Sequence, residues 1–586
     1  MNKEQINEID IKRHSTAHIL AIAILDLHPD ARLGIGPVIE DGFYYDVETD
    51  SPITEDELKK IEKKMKKLIS QNIDFEKSEL DIDKAREKFE SQNQKYKVEI
   101  IDDLKNEGEK TVSIYKSKDF EDLCRGPHVK NSKEINAKAL KITRLAGAYW
   151  KSDENREQLT RVYGVLFDTK EELDEYNKKL VEAKKRDHRK LGKELDLFTF
   201  SDLVGSGLPL FTPKGTTLRD AIVDKIQTLQ AKHGYQKVTI PHITKKDLYE
   251  TSGHWEKFGD ELFKVKGQSE QEFVMKPMNC PHHTQIYASK PHSYRDLPVR
   301  FMETTMVYRD EQAGELLGLS RVRSISQDDG HVFCTQEQIE QEVQNIVSVI
   351  REFYTSLNMF DEGKYWVSVS VRDPKTPEKY LGNPTNWDKA EQILEDIAKK
   401  EGFEYKKVEG EAAFYGPKLD FMFTDAIGRE WQLATAQLDF VMPERFELEY
   451  TDESGQKQTP VMIHRAIAGS LERFLSVIIE HFAGAFPLWL APVQVVIIPV
   501  SDKFNDYGHE VLERLQNEGI RVELDNDSET LGKRIRVAQK AKIPYMLVVG
   551  EKEMTDKTVS VRSRDNGDDG VIDVDDLIIK LKTEIK

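Results

Sequence analysis

The chain has 586 residues, 38% hydrophobic and 33% charged, with 105 acidic against 86 basic side chains for a net charge of -19. That is too long for one hydrophobic core, so several domains are expected. No apolar run is long enough to cross a bilayer, the polar start MNKEQINEID has no secretion-signal pattern, and Cys124, Cys280 and Cys334 lie too far apart to suggest a disulfide framework, so a cytoplasmic protein with no membrane partner is expected. The acidic balance argues weakly against a nucleic-acid partner. Basic residues are clustered, however, at Lys178, Lys179, Lys184, Lys185, Arg186, Arg189, Lys190 and Lys193, and again at Lys533, Arg534, Arg536, Lys540 and Lys542. The bland reading of each run is a solvated helix face.

Residues 1 to about 180 mix helical and strand patterns and close on the strand-like stretch 159–167. Early in this region RHSTAHILA puts His14 and His18 four apart, on one face of a helix. Far downstream, DFEDLCRGPHV offers Asp122, Cys124 and His128. By residue type alone, two histidines four apart plus a Cys-x-x-x-His pair read as a zinc tetrad. The charged stretch 171–194 reads as a helical connector. The largest block, 195–488, holds aromatic strands such as RFMETTMVYR, HVFCT and KYWVSVSV, and MIHRAIAGSLERFLSVIIEHF predicts one long amphipathic helix. Beyond it come alternating β and α patterns: VQVVIIPV, then GHEVLERLQNEG stopped by Gly519, RVEL, the second basic run, and PYMLVVG. These predict a small α/β domain with a partly parallel sheet.

Three residues of the large block stand at element edges: Cys280 after the strand-like FVMKPM, His331 opening HVFC, and His464 beginning the predicted helix. Singly, each reads as a buried thiol or a satisfied core histidine. Together they make three metal ligands with a fourth position open, the pattern of a catalytic zinc, although their spacing does not prove that they meet. Arg309, Glu311 and Arg321 flank a turn between two predicted strands, and arginine forks are suited to carboxylates and triphosphates. Gly469 and Arg473, four apart on the predicted helix, would let a flat base approach the backbone beside a cation. A surface hairpin with scattered charges is the alternative.

The stretch from Tyr308 to Cys334 resembles motif 2 of class II aminoacyl-tRNA synthetases, in the form found in threonyl enzymes. GTTLRDAIVDKIQTLQAKHGYQKVTIP resembles motif 1 and HRAIAGSLERF motif 3, while KPMNCP, QDDGHVFC, AAFYGPKLDF and WQLATAQLDF follow in the family's order. The resemblance spans nearly the whole chain. It implies a multidomain α+β and α/β protein: an N-terminal α+β editing domain over 1–170, a helical linker over 171–194, a class II antiparallel-sheet catalytic domain over 195–488, and an α/β anticodon-binding domain over 489–586.

The same resemblance implies ATP with Mg²⁺, L-threonine and tRNA(Thr) as substrates, a zinc ion on Cys280, His331 and His464, and a homodimer through motif 1. Asp329, Gln327, Tyr415 and Gln437 would hold the amino acid. Arg309 would take the α-phosphate, Arg321 and Arg473 the ATP tail, and Glu311 the adenosine end, with Gln432, Thr435, Gly469 and Ser470 completing the nucleotide site. Lys418 would lie near the reacting carboxylate, and His254 would serve transfer to the tRNA. Valine lacks the hydroxyl that zinc would bind, whereas serine lacks only a methyl, worth about 1–3 kcal/mol, so a second hydrolytic site is needed. For that editing site the family implies His14, His18, Lys97, Asp122, Cys124 and His128; for the anticodon it implies Glu553 and Arg562.

Departures from the family pattern are Ile325, Ser326 and Ala434 near the amino-acid pocket, Ser528 at an anticodon position, and the lack of a ubiquitin-like domain ahead of His14. A non-catalytic or regulatory RNA-binding paralogue is the rival reading. It would usually lose some ligands or motif arginines, and none is missing.

Overall fold

The computed structural model describes residues 7–153, 155–268 and 271–585. The chain divides into two compact units, Met1–Val181 and Glu182–Lys586, and the division falls inside the helix Lys170–Arg186.

In the first unit the helix Glu8–Leu27 is buried continuously from Ser15 to Ile24. An antiparallel sheet runs in the order Arg32–Leu33, Gly42–Glu48, Gln158–Leu166, Leu140–Tyr149. Phe43, Tyr45, Val47 and Val162 of its strands join Ile19, Leu20 and Ile24 of the helix in one core. A separate three-stranded sheet, Glu76–Asp81, Thr111–Ser117 and Phe120–Leu123, brings Asp122 and Cys124 into the unit.

The second unit is built on an eight-stranded sheet. Its order is Gln236–Lys237, Val299–Tyr308, Ser324–Cys334, Val461–Ala466, Glu430–Asp439, Lys418–Thr424, Tyr365–Val371, Tyr405–Glu409. Only the two edge strands pair in parallel. The helices Pro213–Lys232, Ile339–Thr355, Pro384–Lys400 and Leu471–His481 contribute to the large apolar core. Residues 488–581 carry a further core over a five-stranded sheet whose strands Val522–Leu524, Val495–Pro499 and Tyr545–Val549 are mutually parallel.

Two expectations are corrected. MIHRAIAGSLERFLSVIIEHF is not one helix. Val461–Ala466 is a central strand, all six residues buried, and the helix starts only at Leu471. A short apolar run does not distinguish a buried strand from a buried helix by periodicity. The break is made by Gly469, with φ of +63°, and by Ser470, whose Oγ caps the helix by accepting from the Arg473 N–H. Gly469 therefore precedes the helix rather than lying on its face. His331 likewise sits within the strand Ser324–Cys334 and does not open it.

Basic residues of both runs are not merely solvated. Arg186 donates to the carbonyls of Glu480 and His481, and buried Arg534 donates to Pro499 O.

Candidate active site and a second histidine cluster

Strand register assembles the central site. His331 pairs with His464, His464 with Gln437, and Gln437 with Lys418, giving one row across four neighbouring strands. Because alternate residues face opposite sides of a sheet, Gln327, Asp329 and His331 share one face, with His464, Thr435 and Gln437. Asp328 and Arg465 take the other. Cys280 reaches the row from the first turn of the helix Cys280–Ala288. Cys280, His331 and His464 each offer one ligand atom, all within 4.8 Å of one another, and all three residues are buried.

The second nitrogen of each ring is already engaged. His464 Nε2 lies 2.8 Å from Asp439 Oδ2, and His331 Nδ1 lies 2.7 Å from His283 Nδ1. His331 Nε2 is buried without a partner. Burial pushes the His331 ring well below its ordinary value and the Cys280 thiol well above it, with Asp329 and Asp439 adding to the thiol's shift. A buried nitrogen without a partner is costly. Two nitrogens and a sulfur converging beside carboxylates fit a zinc site with an open position.

Around this triad, Asp329 accepts from Asn279 Nδ2 and from the Gly330 N–H, and burial raises its carboxyl pKa. Tyr415 stacks on His464 and donates to Gln437 Oε1 at 2.8 Å. Gln437 donates to Thr435 Oγ1, which donates to Asp420, the ion-pair partner of Lys418 at 2.9 Å. His254 Nε2 lies 3.7 Å from Cys280 Sγ. Its Nδ1 is held by Ser252 Oγ, and burial pulls the ring down to about 3.

A cavity of about 480 Å³ is lined by Arg309, Glu311, Arg321, Gln327, Gln432, Thr435, Gly469, Ser470 and Arg473. Arg309 Nε is buried with no partner, and burial lowers the guanidinium's pKa. Such a cation is stabilised by an anion brought to it. Arg321 pairs with Glu311 and Glu315 at 2.7 and 2.8 Å, while Arg473 lies over the Trp431 ring. Glu311 thus holds an arginine of the same cavity.

Several participants are not legible in the sequence. Asp328 forms a buried pair with Arg465 at 2.9 Å and accepts from the Ile467 and Ala468 N–H groups, while its own N–H donates to Gly469 O. It therefore holds the loop leading to Ser470. Lys276 is fully buried, donates to Thr305, and is brought down to about 8 by burial. The adjacent Asp-Asp and the KPMNC run were the available signals, but neither says which face a side chain takes.

In the first unit, His14, His18, Cys124 and His128 also lie within 4.8 Å of one another. Cys124 Sγ is 3.3 Å from His14 Nε2 and 3.2 Å from His128 Nε2. His14 Nδ1 donates to Pro127 O, and His128 Nδ1 meets Ser15 Oγ. Burial lowers all three histidines, and it raises the Cys124 thiol to about 11. Beside them buried Lys97 pairs with Asp122 at 2.6 Å, and Tyr45, unmarked in the sequence, donates to Asp122 at 2.5 Å. A cavity of about 780 Å³ is lined by His14, His18, Tyr45, Lys97, Asp122 and Cys124 among others.

In the C-terminal part, Glu553 accepts from the Gly550 N–H at the start of the helix Glu551–Asp556, and Arg562, on the strand Thr558–Ser563, has a buried Nε without a partner. Ser528 is exposed in a loop.

The antiparallel sheet with its motif arginines defines a class II aminoacyl-tRNA synthetase. The family described as tRNA synthetase class II core domain (G, H, P, S and T) matches residues 263–482, the anticodon binding domain matches 494–584, and the threonyl and alanyl tRNA synthetase second additional domain matches 112–163. A threonine--tRNA ligase of Gloeobacter violaceus is 49% identical, covering 98% of this chain and 92% of that protein, and one of Parabacteroides distasonis is 47% identical, covering 98% and 87%. A solved structure of the RNA binding domain of threonyl-tRNA synthetase from Cryptosporidium parvum aligns with TM-score 0.64 at 37% identity, covering 68% of this chain and 98% of that one. The chain belongs to the threonine--tRNA ligase family.

Proposed function

We propose that the chain activates L-threonine with ATP, transfers it to tRNA(Thr), and hydrolyses mischarged seryl-tRNA at its N-terminal histidine cluster. The observation that carries this reading is the convergence of Cys280, His331 and His464 on the sheet face occupied by Gln327 and Thr435, which also line the arginine cavity.

Cys280, His331 and His464 would hold a zinc ion whose remaining coordination positions would accept the amino group and hydroxyl of threonine and leave valine unmet. Asp329 and Gln437 are read as orienting the amino acid, the latter braced by Tyr415. Arg309, with its unpartnered Nε, is suited to the α-phosphate; Arg473 and Arg321 to the rest of the ATP–Mg²⁺. The reaction, attack of a carboxylate on the α-phosphorus, then needs mainly positioning and charge stabilisation. His254, neutral at working pH and 3.7 Å from Cys280 Sγ, is read as serving transfer to the tRNA.

In the N-terminal cluster the rings are neutral and Cys124 is a thiol at neutral pH. His14, His18 and Cys124 line a cavity edged by buried Lys97. That favours orienting a water and the mischarged end of the tRNA. Glu553 and Arg562 are read as anticodon contacts. A homodimer is supported by Phe200, Leu203, Val204 and Leu210, exposed apolar residues just before the motif 1 helix Pro213–Lys232.

The test is aminoacylation with threonine, serine and valine, and light scattering for the dimer. Threonine alone should accumulate on tRNA; no threonyl-adenylate from zinc-loaded protein would sink the synthetase reading.

A further inference from the structure

The linker residue His188, which no motif marks, is 4% exposed and uses both ring nitrogens. The Leu319 N–H donates to Nε2 at 3.1 Å, so that nitrogen carries the lone pair and Nδ1 carries the proton. Nδ1 donates to Glu480 Oε1 at 2.7 Å, and the His188 backbone N–H donates to the same oxygen at 2.9 Å. The other Glu480 oxygen is taken by Arg429, itself paired with Asp425. Asp187, His188 and Glu480 lie close enough to hold a cation. However, neither His188 nitrogen has a lone pair to spare.

Both ends of this bridge lie on elements that also carry residues lining the proposed nucleotide cavity. Glu480 sits in the last turn of the helix Leu471–His481, whose cap Ser470 and first-turn Arg473 line the arginine cavity. Leu319 is fully buried inside the tight turn 317–321, closed by the Leu317–Arg321 bridge, which presents Arg321 to Glu311. Gly318, at φ +51°, packs so closely that an added Cβ would meet His188 Nε2 at 2.3 Å.

We infer that His188 is a positioning residue for ATP: it clamps the motif 2 turn to the motif 3 helix and so sets where Arg321 stands. This deepens the proposed nucleotide reading of the cavity and rests on it. His188→Ala removes the buried hydrogen bonds at both ring nitrogens and should raise the KM for ATP about tenfold, about 1.4 kcal/mol, in threonine-dependent ATP–pyrophosphate exchange, with the threonine KM and zinc content unchanged.

Two conservative variants separate clamp from scaffold. In His188→Gln the amide oxygen can replace Nε2 as acceptor for Leu319; in His188→Asn the amide N–H can replace Nδ1 as donor to Glu480 but leaves Leu319 unmet. The expected result is a near-normal ATP KM for Gln and an Ala-like one for Asn. Gly318→Ala, whose added Cβ would press on His188 Nε2, should also raise it. Equal behaviour of Gln and Asn, or an unchanged ATP KM in His188→Ala, overturns the inference. Arg473→Ala is the control: unchanged ATP use there overturns the reading of the cavity and this inference with it, whereas its expected loss beside an unaffected His188→Ala overturns this inference alone.

Discussion

Two clusters of histidine and cysteine stand out among the described residues, each with its ligand atoms within 4.8 Å of one another, and the carboxylates beside them differ in what they are paired with. Beside Cys280, His331 and His464 stand Asp329 and Asp439; Asp439 meets His464, and Asp329 lies 3.6 Å from the His331 Nε2, which has no hydrogen-bond partner. Beside the N-terminal four stands Asp122, 3.5 Å from His18 Nε2 but already paired with buried Lys97 at 2.6 Å, and the two charges act oppositely on His14. Carboxylates around converging lone pairs favour a dication, and an ammonium paired with the carboxylate offsets that. The lesson is that donor inventory alone does not identify a metal site; whether the charges just behind the donors are already paired matters too.

The sharpest way to break the comparison is metal content. Cys280→Ala should lose bound zinc by mass spectrometry and lower threonine activation to below about one thousandth, while Cys124→Ala should leave zinc stoichiometry unchanged. Zinc lost equally from both variants would erase the distinction. Next in size, His14→Ala with His18→Ala should keep threonine activation within about twofold and raise seryl-tRNA by about 10- to 100-fold, the leak expected for one missing methyl.

Acid should test the protonation state of the N-terminal cluster. Burial holds His14, His18 and His128 below their ordinary values. The unfolded chain therefore binds protons below about pH 6.5 that the native unit refuses, so native stability is greatest above that pH and falls on acidification. The loss is up to about 1.4 kcal/mol per histidine per pH unit, and protection from hydrogen exchange along Glu8–Leu27 in the full chain, taken relative to the intrinsic rate at each pH, should fall from pH 7 to pH 5. Unchanged protection would mean that the three rings are not neutral at neutral pH. The smallest effect is expected at Ala434, fully buried in the core cluster. Ala434→Gly should lower stability by about 1 kcal/mol in thermal melts and move the threonine KM less than about threefold.

Much of this was legible in the chain. HRAIAGSLERF, QDDGHVFC and KPMNCP supply side chains that the structure brings together, although the helix start after Gly469–Ser470 went unread. What could not be read was the set of partners behind them. Asp439 reaches His464 and Arg465 reaches Asp328 because strands distant in sequence lie side by side in register, and His283 reaches His331 from the helix Cys280–Ala288. The mistaken long helix has the same origin, since Val461–Ala466 is buried on both faces because it is a central strand. His188 is invisible for another reason. It lies in a charge-rich stretch whose composition speaks of solvent, and only tertiary structure turns it inward.

Asp328 and Asp329 are neighbours, yet one braces a loop below the sheet while the other faces Cys280, His331 and His464 above it. Their division of labour depends on counting. A single inserted or deleted residue between Ser324 and Cys334 would turn every later side chain over, putting the loop brace where the amino acid should sit and burying a ligand histidine against the wrong layer. This stretch can therefore change its letters but not its length by one, and drift in this family should be expected there as substitution rather than as indels.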